Sequence, residues 1–542
     1  MNKFLQFRIF FLILIFVACR AFAQPNPPVC PKWALGHVVW EDSINTQQAA
    51  ELLVRLYKEN HIPVGAIIID SPWSMSYNDY NWNTDRYPEA GKMIQNLADQ
   101  GVRTILWMTG CINSNARDVP VGLHPAYDYA FDHNYVINDG VESTWWKGDG
   151  MHLDFTNPEA VKWWDSMLDK AYKGGVSGWK VDQGEYYFGD SVITSVGKIP
   201  IRDFKYYYYD HMYDYTRAKN NQGIILARPY SHQGEFAARI SKLSLGWSGD
   251  FEGNYDGLKL QINNIYRSAE AGFGALACEI GGFYESRSTK TQLIRYAQFG
   301  AFTASMVNGG ENGAFSNHLP WYHDEETTEI YRYYVNLHYQ LIPYIFSSLV
   351  DAHLHGGALL KETSKERFSH KLGNDLFFRA IVSDKNKIEI TLPDGDEWID
   401  FWTDQIFEGG KSFEQTYSLN QAPIFVRVGA IIPMDISDDI TGFGNGSNKG
   451  KNTILIYPKG KSLYTFHKPS GDGTDYKDIK ICYDDVNGRL TVNGKDRDSY
   501  IFYVKKEKEP DQVTGVDAWF YDNENGLLQI EKSGDNFSIT IK

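Results

Sequence analysis

From Trp33 to about residue 345, short apolar runs alternate with stretches whose apolar residues recur at helical spacing. The runs Trp33–Trp40, Val64–Asp70, Arg103–Thr109, Gly178–Asp182, Gly223–Arg228, Ser244–Trp247, Ala275–Ile280 and Phe302–Val307 predict eight strands. Between them, Leu52, Leu53, Leu56 and Tyr57 make one stripe of a helix over Gln47–Lys58. Met93, Ile94 and Leu97 do the same over about Gly91–Gln100, with Gly101 as the stop. A further helix starts at Asn157-Pro158-Glu159. There Asn caps, Pro fills the first helical position and Glu suits the positive end of the dipole. Its stripe is Val161, Trp164, Leu168 and Ala171. Eight strands with intervening helices over this length predict an α/β fold, a (β/α)8 TIM barrel. An open doubly wound sheet is the alternative, weakened because no GxGxxG or GxxxxGK[ST] follows any of the strands.

A last helix is predicted over Ile330–Val350, and beyond it the period changes to two. Leu376–Val382, Lys387–Leu392 and Pro423–Ile432 read as antiparallel strands. The Gly/Asn/Ser/Lys-rich loop Gly442–Asn452 marks a boundary, and Thr453–Tyr457, Arg489–Val492, Ser499–Val504 and Leu527–Ile530 predict another small β domain. The expected organisation is therefore a signal peptide over residues 1–23, a catalytic barrel over 31–350, a proximal β-sandwich over 351–441 and a distal β domain over 452–542.

The signal is read from Lys3 and Arg8, the apolar run Ile9–Ala18 and the small-x-small Ala21-Phe22-Ala23. It predicts export to the periplasm or the medium. Phe16 suits a lipid-attachment motif at Cys19 poorly, and no later stretch is apolar enough to cross a bilayer. A formal charge of −15 argues against nucleic acid and anionic membrane surfaces as partners, since both reward basic patches. Cys30, Cys111, Cys278 and Cys482 are too scattered for a disulfide scaffold or a zinc motif. Nothing in the sequence specifies an oligomeric state.

In a barrel, residues just past the carboxyl ends of strands form the active face. Asp70, Thr109, Asp182, Arg228, Asp250 and Glu279 all fall there. Two carboxylates across one mouth are what cleavage of a glycosidic bond requires, one to attack the sugar carbon and one to protonate the departing oxygen. Asp182 is the candidate nucleophile, kept ionised by Lys180 and Arg228. Asp250 is the candidate acid and then base, desolvated by Trp247. Asp70, Trp107, Trp179 and Glu279, together with Lys180, Arg228 and Trp247, are the candidate substrate-binding residues. Either aspartate alone reads equally well as a helix cap or a surface ion pair; the pair in this setting does not. The strand ends offer no His-x-His or clustered His/Asp set for zinc, so the chemistry is expected to need neither metal nor organic cofactor. The expected partner is an oligosaccharide.

The succession of motifs resembles glycoside hydrolase family 31, a barrel family of retaining α-glycosidases and related transglycosylases. Trp179-Lys180-Val181-Asp182-Gln183-Gly184-Glu185 is similar to its nucleophile segment, and Trp247-Ser248-Gly249-Asp250, preceded by Arg228, to its acid/base segment. His152-Leu153-Asp154-Phe155-Thr156-Asn157-Pro158-Glu159-Ala160 with Trp163-Trp164, and Cys278-Glu279-Ile280-Gly281-Gly282-Phe283, resemble further stretches of it. Leu341-Ile342-Pro343-Tyr344-Ile345 and the run from Pro423 to Pro433 resemble the helix and β-sandwich that follow. The resemblance implies hydrolysis of a terminal α-linked sugar through a glycosyl-enzyme. Transfer of that sugar to another acceptor, and a noncatalytic sugar-binding barrel, are the alternatives. The departures concern substrate. The wall that the family's usual entrance β-sandwich lends the sugar site is expected to be missing or supplied otherwise, and strand two reads Asp70-Ser71-Pro72-Trp73-Ser74. Glu279 stands where Asp is typical, and Met306-Val307-Asn308-Gly309-Gly310-Glu311 replaces an Arg-x-His. The Lys180-x-Asp182 form resembles α-xylosidase and α-galactosidase members.

Overall fold

The computed structural model describes residues 25–41, 44–119, 125–182, 188–231, 234–284, 288–310 and 318–542. The predicted signal at residues 1–23, Gln183 to Glu185 and Glu311 lie outside the described residues. Eight parallel strands close into a barrel: β1 (His37–Glu41), β2 (Ala66–Ile69), β3 (Arg103–Met108), β4 (Gly178–Val181), β5 (Ile224–Ala227), β6 (Leu245–Trp247), β7 (Leu276–Ile280) and β8 (Ser305–Asn308). β8 pairs back onto β1, Val307 opposite Val38, so no strand edge is left open.

Helices fill the return connections: α1 (Gln47–Glu59), α2 (Ala90–Asp99), α3 (Pro125–Asp132), α4 (Pro158–Lys173), α5 (Ile201–Lys219), α6 (Tyr255–Glu270), α7 (Lys290–Gly300) and finally α8 (Glu325–His355). Their starts follow local chemistry. The Thr46 side chain accepts from the Ala49 N–H at the head of α1, and Asn157 accepts from the Glu159 and Ala160 N–H groups at the head of α4. The buried stripe of α4 is Ala160, Trp164, Met167, Leu168 and Ala171; Val161 lies at its margin. On α1 the stripe is turned toward Ala49, Ala50, Leu53, Val54 and Tyr57, leaving Leu52 and Leu56 half-buried.

Two strand expectations shift. Lys32–Leu35 forms a 3-10 turn because its amides are held elsewhere: Lys32 N–H donates to the Gly473 carbonyl and Trp33 N–H to that of Asp472. β1 therefore begins at His37. Around Phe302, Thr303 folds back on the Gly300 carbonyl through both its amide and its hydroxyl, and β8 begins only at Ser305.

Between β3 and β4 the chain builds a three-stranded antiparallel sheet, in order Cys111–Ala116, Gly148–His152, Ser143–Trp145. It leans over the carboxyl end of β3, where Trp145 stacks on Trp107 with centroids 6.4 Å apart.

After α8 comes a six-stranded sheet in order Leu360–Ser364, Ser369–Leu372, Leu376–Arg379, Ile424–Arg427, Glu397–Asp400, Ile406–Glu408, with the two-stranded antiparallel sheet Lys387–Thr391/Ser412–Thr416 beside it. An eight-stranded sheet follows. Its first strand, Ile431–Met434, pairs antiparallel with Asn452–Ile456, so the Gly442–Asn452 loop joins two neighbours of one sheet. Arg489–Lys505 runs as one strand through a bulge between Asn493 and Asp498, where the alternation predicts two.

Candidate active site

Side chains alternate between the two faces of a strand, and partners in parallel register face the same side. Trp107 stands opposite Lys180, Lys180 opposite Leu226, Trp247 opposite Ala277 and Glu279 opposite Val307. Counting in twos along each strand puts Trp40, Asp70, Trp107, Lys180, Asp182, Arg228, Trp247 and Glu279 inside the barrel at its carboxyl end. The same count turns Trp179 outward. It packs in the helix layer against Tyr80 and Tyr172, with ring centroids 5.6 and 5.9 Å away. The structure thus brings together all the candidate residues on these strands except Trp179, whose odd position on β4 faces away from the mouth.

Arg228 is the hub. One of its nitrogens, Nη2, donates to Asp182 Oδ1 at 3.3 Å and to Asp250 Oδ2 at 2.5 Å. Those two oxygens therefore lie no further apart than the two contacts laid end to end, 5.8 Å. Trp107 Nε1 donates to the other Asp182 oxygen, Oδ2, at 3.1 Å. The backbone at Asp182 is fixed as well: its N–H donates to the Met108 carbonyl at 2.9 Å, and its carbonyl accepts from the Tyr208 hydroxyl of α5 at 2.8 Å. Asp250 sits past the end of β6 on a turn through Gly249, whose φ of +103° is open to glycine and strained for other residues.

A second cation lies deeper. Lys180 Nζ donates to Asp70 Oδ2 at 3.3 Å and rests 3.5 Å from the centroid of the Trp40 ring. Trp247 lies against both cations, 4.6 Å from the Arg228 guanidinium carbon and 5.5 Å from Lys180 Nζ. Burial alone pushes the Lys180 ammonium down, but Asp70, Glu279, Asp182 and Asp250 together outweigh it and hold the ammonium above its ordinary value. Lys180 is therefore charged.

Glu279 behaves differently. It is 1 % exposed, and its Oε2 has no hydrogen-bond partner among the described residues. Burial first, and the neighbouring Asp250 second, raise its carboxyl well above the ordinary glutamate value despite Lys180 and Arg228. It is set behind the carboxylates.

Trp40, Trp145 and Tyr208 escape sequence reasoning. Trp40 carries a usable signal, since it ends the first strand on the same parity as Val38. Trp145 carries none, because the sheet between β3 and β4 has no alternating pattern. Asn308 and His318, on the β8 side, are tied to structure: Asn308 donates to the Tyr331 hydroxyl and the His318 carbonyl, and the His318 ring meets the Ile280 carbonyl. Among the described residues, no group of three or more His, Cys, Asp or Glu is arranged to hold a metal ion, and no helix is long and apolar enough to cross a membrane.

The arrangement offers one carboxylate oriented by two donors, a second within a sugar's reach and cations that hold negative charge between them. Comparisons with known proteins agree with that chemistry. The model of the glycosyl hydrolases family 31 TIM-barrel domain matches residues 27–348, and that of the family 31 C-terminal domain matches residues 361–432. An isomaltosyltransferase from Sporosarcina globispora is 24% identical over 502 residues, 82% of this chain and 45% of its own. An alpha-xylosidase from Emericella nidulans is 23% identical over 445 residues, 76% of this chain and 54% of its own. The chain spans about half the length of the curated relatives it matches. Among solved structures, the cycloalternan-forming enzyme from Listeria monocytogenes in complex with pentasaccharide substrate superposes with a TM-score of 0.83 at 22% identity, covering 95% of this chain and 54% of that one. A Flavobacterium johnsoniae GH31 dextranase complexed with glucose gives 0.82 at 20% identity, covering 95% and 71%.

Proposed function

Because the chain belongs to glycoside hydrolase family 31, we propose that it is a retaining α-glycosidase that releases a terminal α-linked sugar from an oligosaccharide, with Asp182 as nucleophile and Asp250 as acid/base. The observation that carries this reading is the Arg228 nitrogen shared by the two aspartates. It keeps their near oxygens within 5.8 Å, which supports the separation of about 5–5.5 Å used for retention, against about 6.5–9.5 Å for inversion. In the first step Asp182 attacks the anomeric carbon while Asp250 gives its proton to the leaving oxygen. In the second, Asp250 takes a proton from water, whose oxygen displaces Asp182 and restores the α-anomer. Trp107 and Arg228 orient Asp182 for attack, and Arg228 also holds Asp250 against it.

The sugar we favour is glucose or xylose, with galactose behind them. The buried Lys180–Asp70 pair forms the floor on which the non-reacting hydroxyls rest. Transfer to a sugar acceptor is the second reading, favoured by the likeness to an isomaltosyltransferase and to a cycloalternan-forming enzyme. We further propose that residues 1–23 direct export, which places the enzyme where oligosaccharides outside the cytoplasm reach it.

The test is Asp182→Asn with nitrophenyl α-glucoside, α-xyloside and α-galactoside. Turnover falls by at least about a thousandfold with the fold intact, and wild-type product first appears as the α-anomer by proton NMR. Full activity in the variant, or β-anomer as first product, overturns the mechanism. Products that carry the sugar on a second sugar show that transfer dominates.

A further inference from the structure

The two members of the catalytic pair are carried differently by the backbone. Asp182 directly follows β4 and is held by backbone contacts to Met108 and Tyr208. Asp250 lies past the last residue of β6, and the intervening Gly249 adopts the left-handed region. Beside the Arg228 contact on its carboxylate, its aim therefore depends on what fixes the backbone at Ser248, the last side chain before the glycine.

What fixes Ser248 is helix α6. Ser248 Oγ donates to Gln261 Oε1 at 2.9 Å, and the Ser248 carbonyl accepts from Asn264 Nδ2 at 3.2 Å. The same Gln261 oxygen accepts from the Glu279 N–H at 3.1 Å and from Cys278 Sγ at 3.4 Å, while Gln261 Nε2 donates to the Glu279 carbonyl at 3.1 Å. Gln261 is 0 % exposed. Its oxygen meets donors and its nitrogen meets an acceptor, so only one orientation of the amide satisfies the set. A fully buried amide in the helix layer is an expensive residue to keep unless all its bonds are made. Here the bond to Ser248 and those to Cys278 and Glu279 together tie the turn bearing Asp250 to the strand bearing Glu279.

We infer that Gln261 is a positioning residue for the acid/base: a buried clamp that locks the Ser248–Gly249–Asp250 turn to β7 and so aims the Asp250 carboxyl at the oxygen it protonates. The inference rests on the reading of Asp250 as acid/base. Gln261 touches neither aspartate and no substrate; it acts through Ser248 and the backbone of Glu279. Protonation matters most when the leaving group is a poor one. Loosening the clamp should consequently slow only the substrates that need the proton.

The experiment compares kcat/KM for a phenyl and a 2,4-dinitrophenyl α-glycoside of the sugar that the wild type prefers. The proteins are wild type, Gln261→Leu, Ser248→Ala and Asp250→Ala, each checked for folding by its thermal melt. Gln261→Leu is expected to lose about ten- to a hundredfold on the phenyl glycoside and under about threefold on the dinitrophenyl one. Ser248→Ala, which removes one contact and leaves Gln261 in place, should show the same bias more weakly, and it decides the matter if Gln261→Leu does not fold. Equal losses on the two glycosides, or none, in a folded variant beside a leaving-group-sensitive Asp250→Ala, overturn the positioning role alone. An inert wild type, or an Asp250→Ala blind to the leaving group, overturns the acid/base reading and this inference with it.

Discussion

At the barrel mouth Lys180 and Arg228 meet their carboxylates with side chains 4% and 3% exposed, whereas in the two-stranded sheet after the barrel Lys387 meets Glu414 with side chains 62% and 59% exposed. The pairs share one chemistry and differ in surroundings. On that open sheet, water screens both charges and the pair adds little. Inside the barrel the groups are desolvated, and their mutual attraction only partly offsets that cost. Four carboxyls crowd around the two cations there, and one of them, Glu279, is pushed well above the ordinary glutamate value. The barrel therefore carries its ionised residues where stability alone would place apolar ones. That is expected of residues kept for what they do to a substrate.

The largest break in this contrast should come from Arg228→Met. It strands two carboxylates in a buried site, so we expect a loss of about 3–5 kcal/mol in urea unfolding, together with a fall in kcat/KM of about a hundredfold or more. A variant as stable as wild type would show that the guanidinium does not hold the pair together.

Glu279→Gln sharpens the contrast through pH. The folded Glu279 carboxyl binds its proton more tightly than the ordinary value of 4.5. The unfolded chain releases that proton as the pH passes 4.5, while the fold retains it. The wild-type contribution is thus fully present below that pH and is lost as the pH rises from there toward the folded value. Glutamine has no proton to retain. The thermal midpoint of Glu279→Gln should therefore gain on wild type as the pH rises above about 4.5. A gap that stays flat over this range would mean that Glu279 is ionised in the fold.

The smallest effect should be that of Lys387→Ser. It breaks a pair open to solvent and should change unfolding stability by under about 1 kcal/mol and leave kcat/KM untouched. A loss comparable to that of Arg228→Met would erase the distinction between the two regions.

The barrel was legible in the sequence because its strands are buried on both sides and read as plain apolar runs; six of the eight appear almost where expected. The other two shift for tertiary reasons invisible locally, at Lys32–Leu35 and at Thr303. The distal sheet was less legible. Lys461–Pro469 and Tyr476–Asp484 have one wet face and many polar residues, so their pairing shows only in space. Within the site, strand-end carboxylates beside tryptophans stood out because a barrel delivers such positions to one rim. Trp179 did not follow, since proximity in the chain says nothing about face, and the period of two sends it outward. Gln261 and Tyr208 stayed hidden because they lie on helices and act from behind, through hydrogen bonds that no spacing announces.

The turn before β1 is held by the carbonyls of Asp472 and Gly473, near the other end of the chain. A ribosome making this protein delivers the whole barrel well before those two residues emerge. Until they arrive, the backbone amides of Lys32 and Trp33 lack these partners, which leaves a gap beneath the first strand. Shortened versions that stop after the barrel would keep that gap permanently, and clumping rather than loss of chemistry would be the first sign of it.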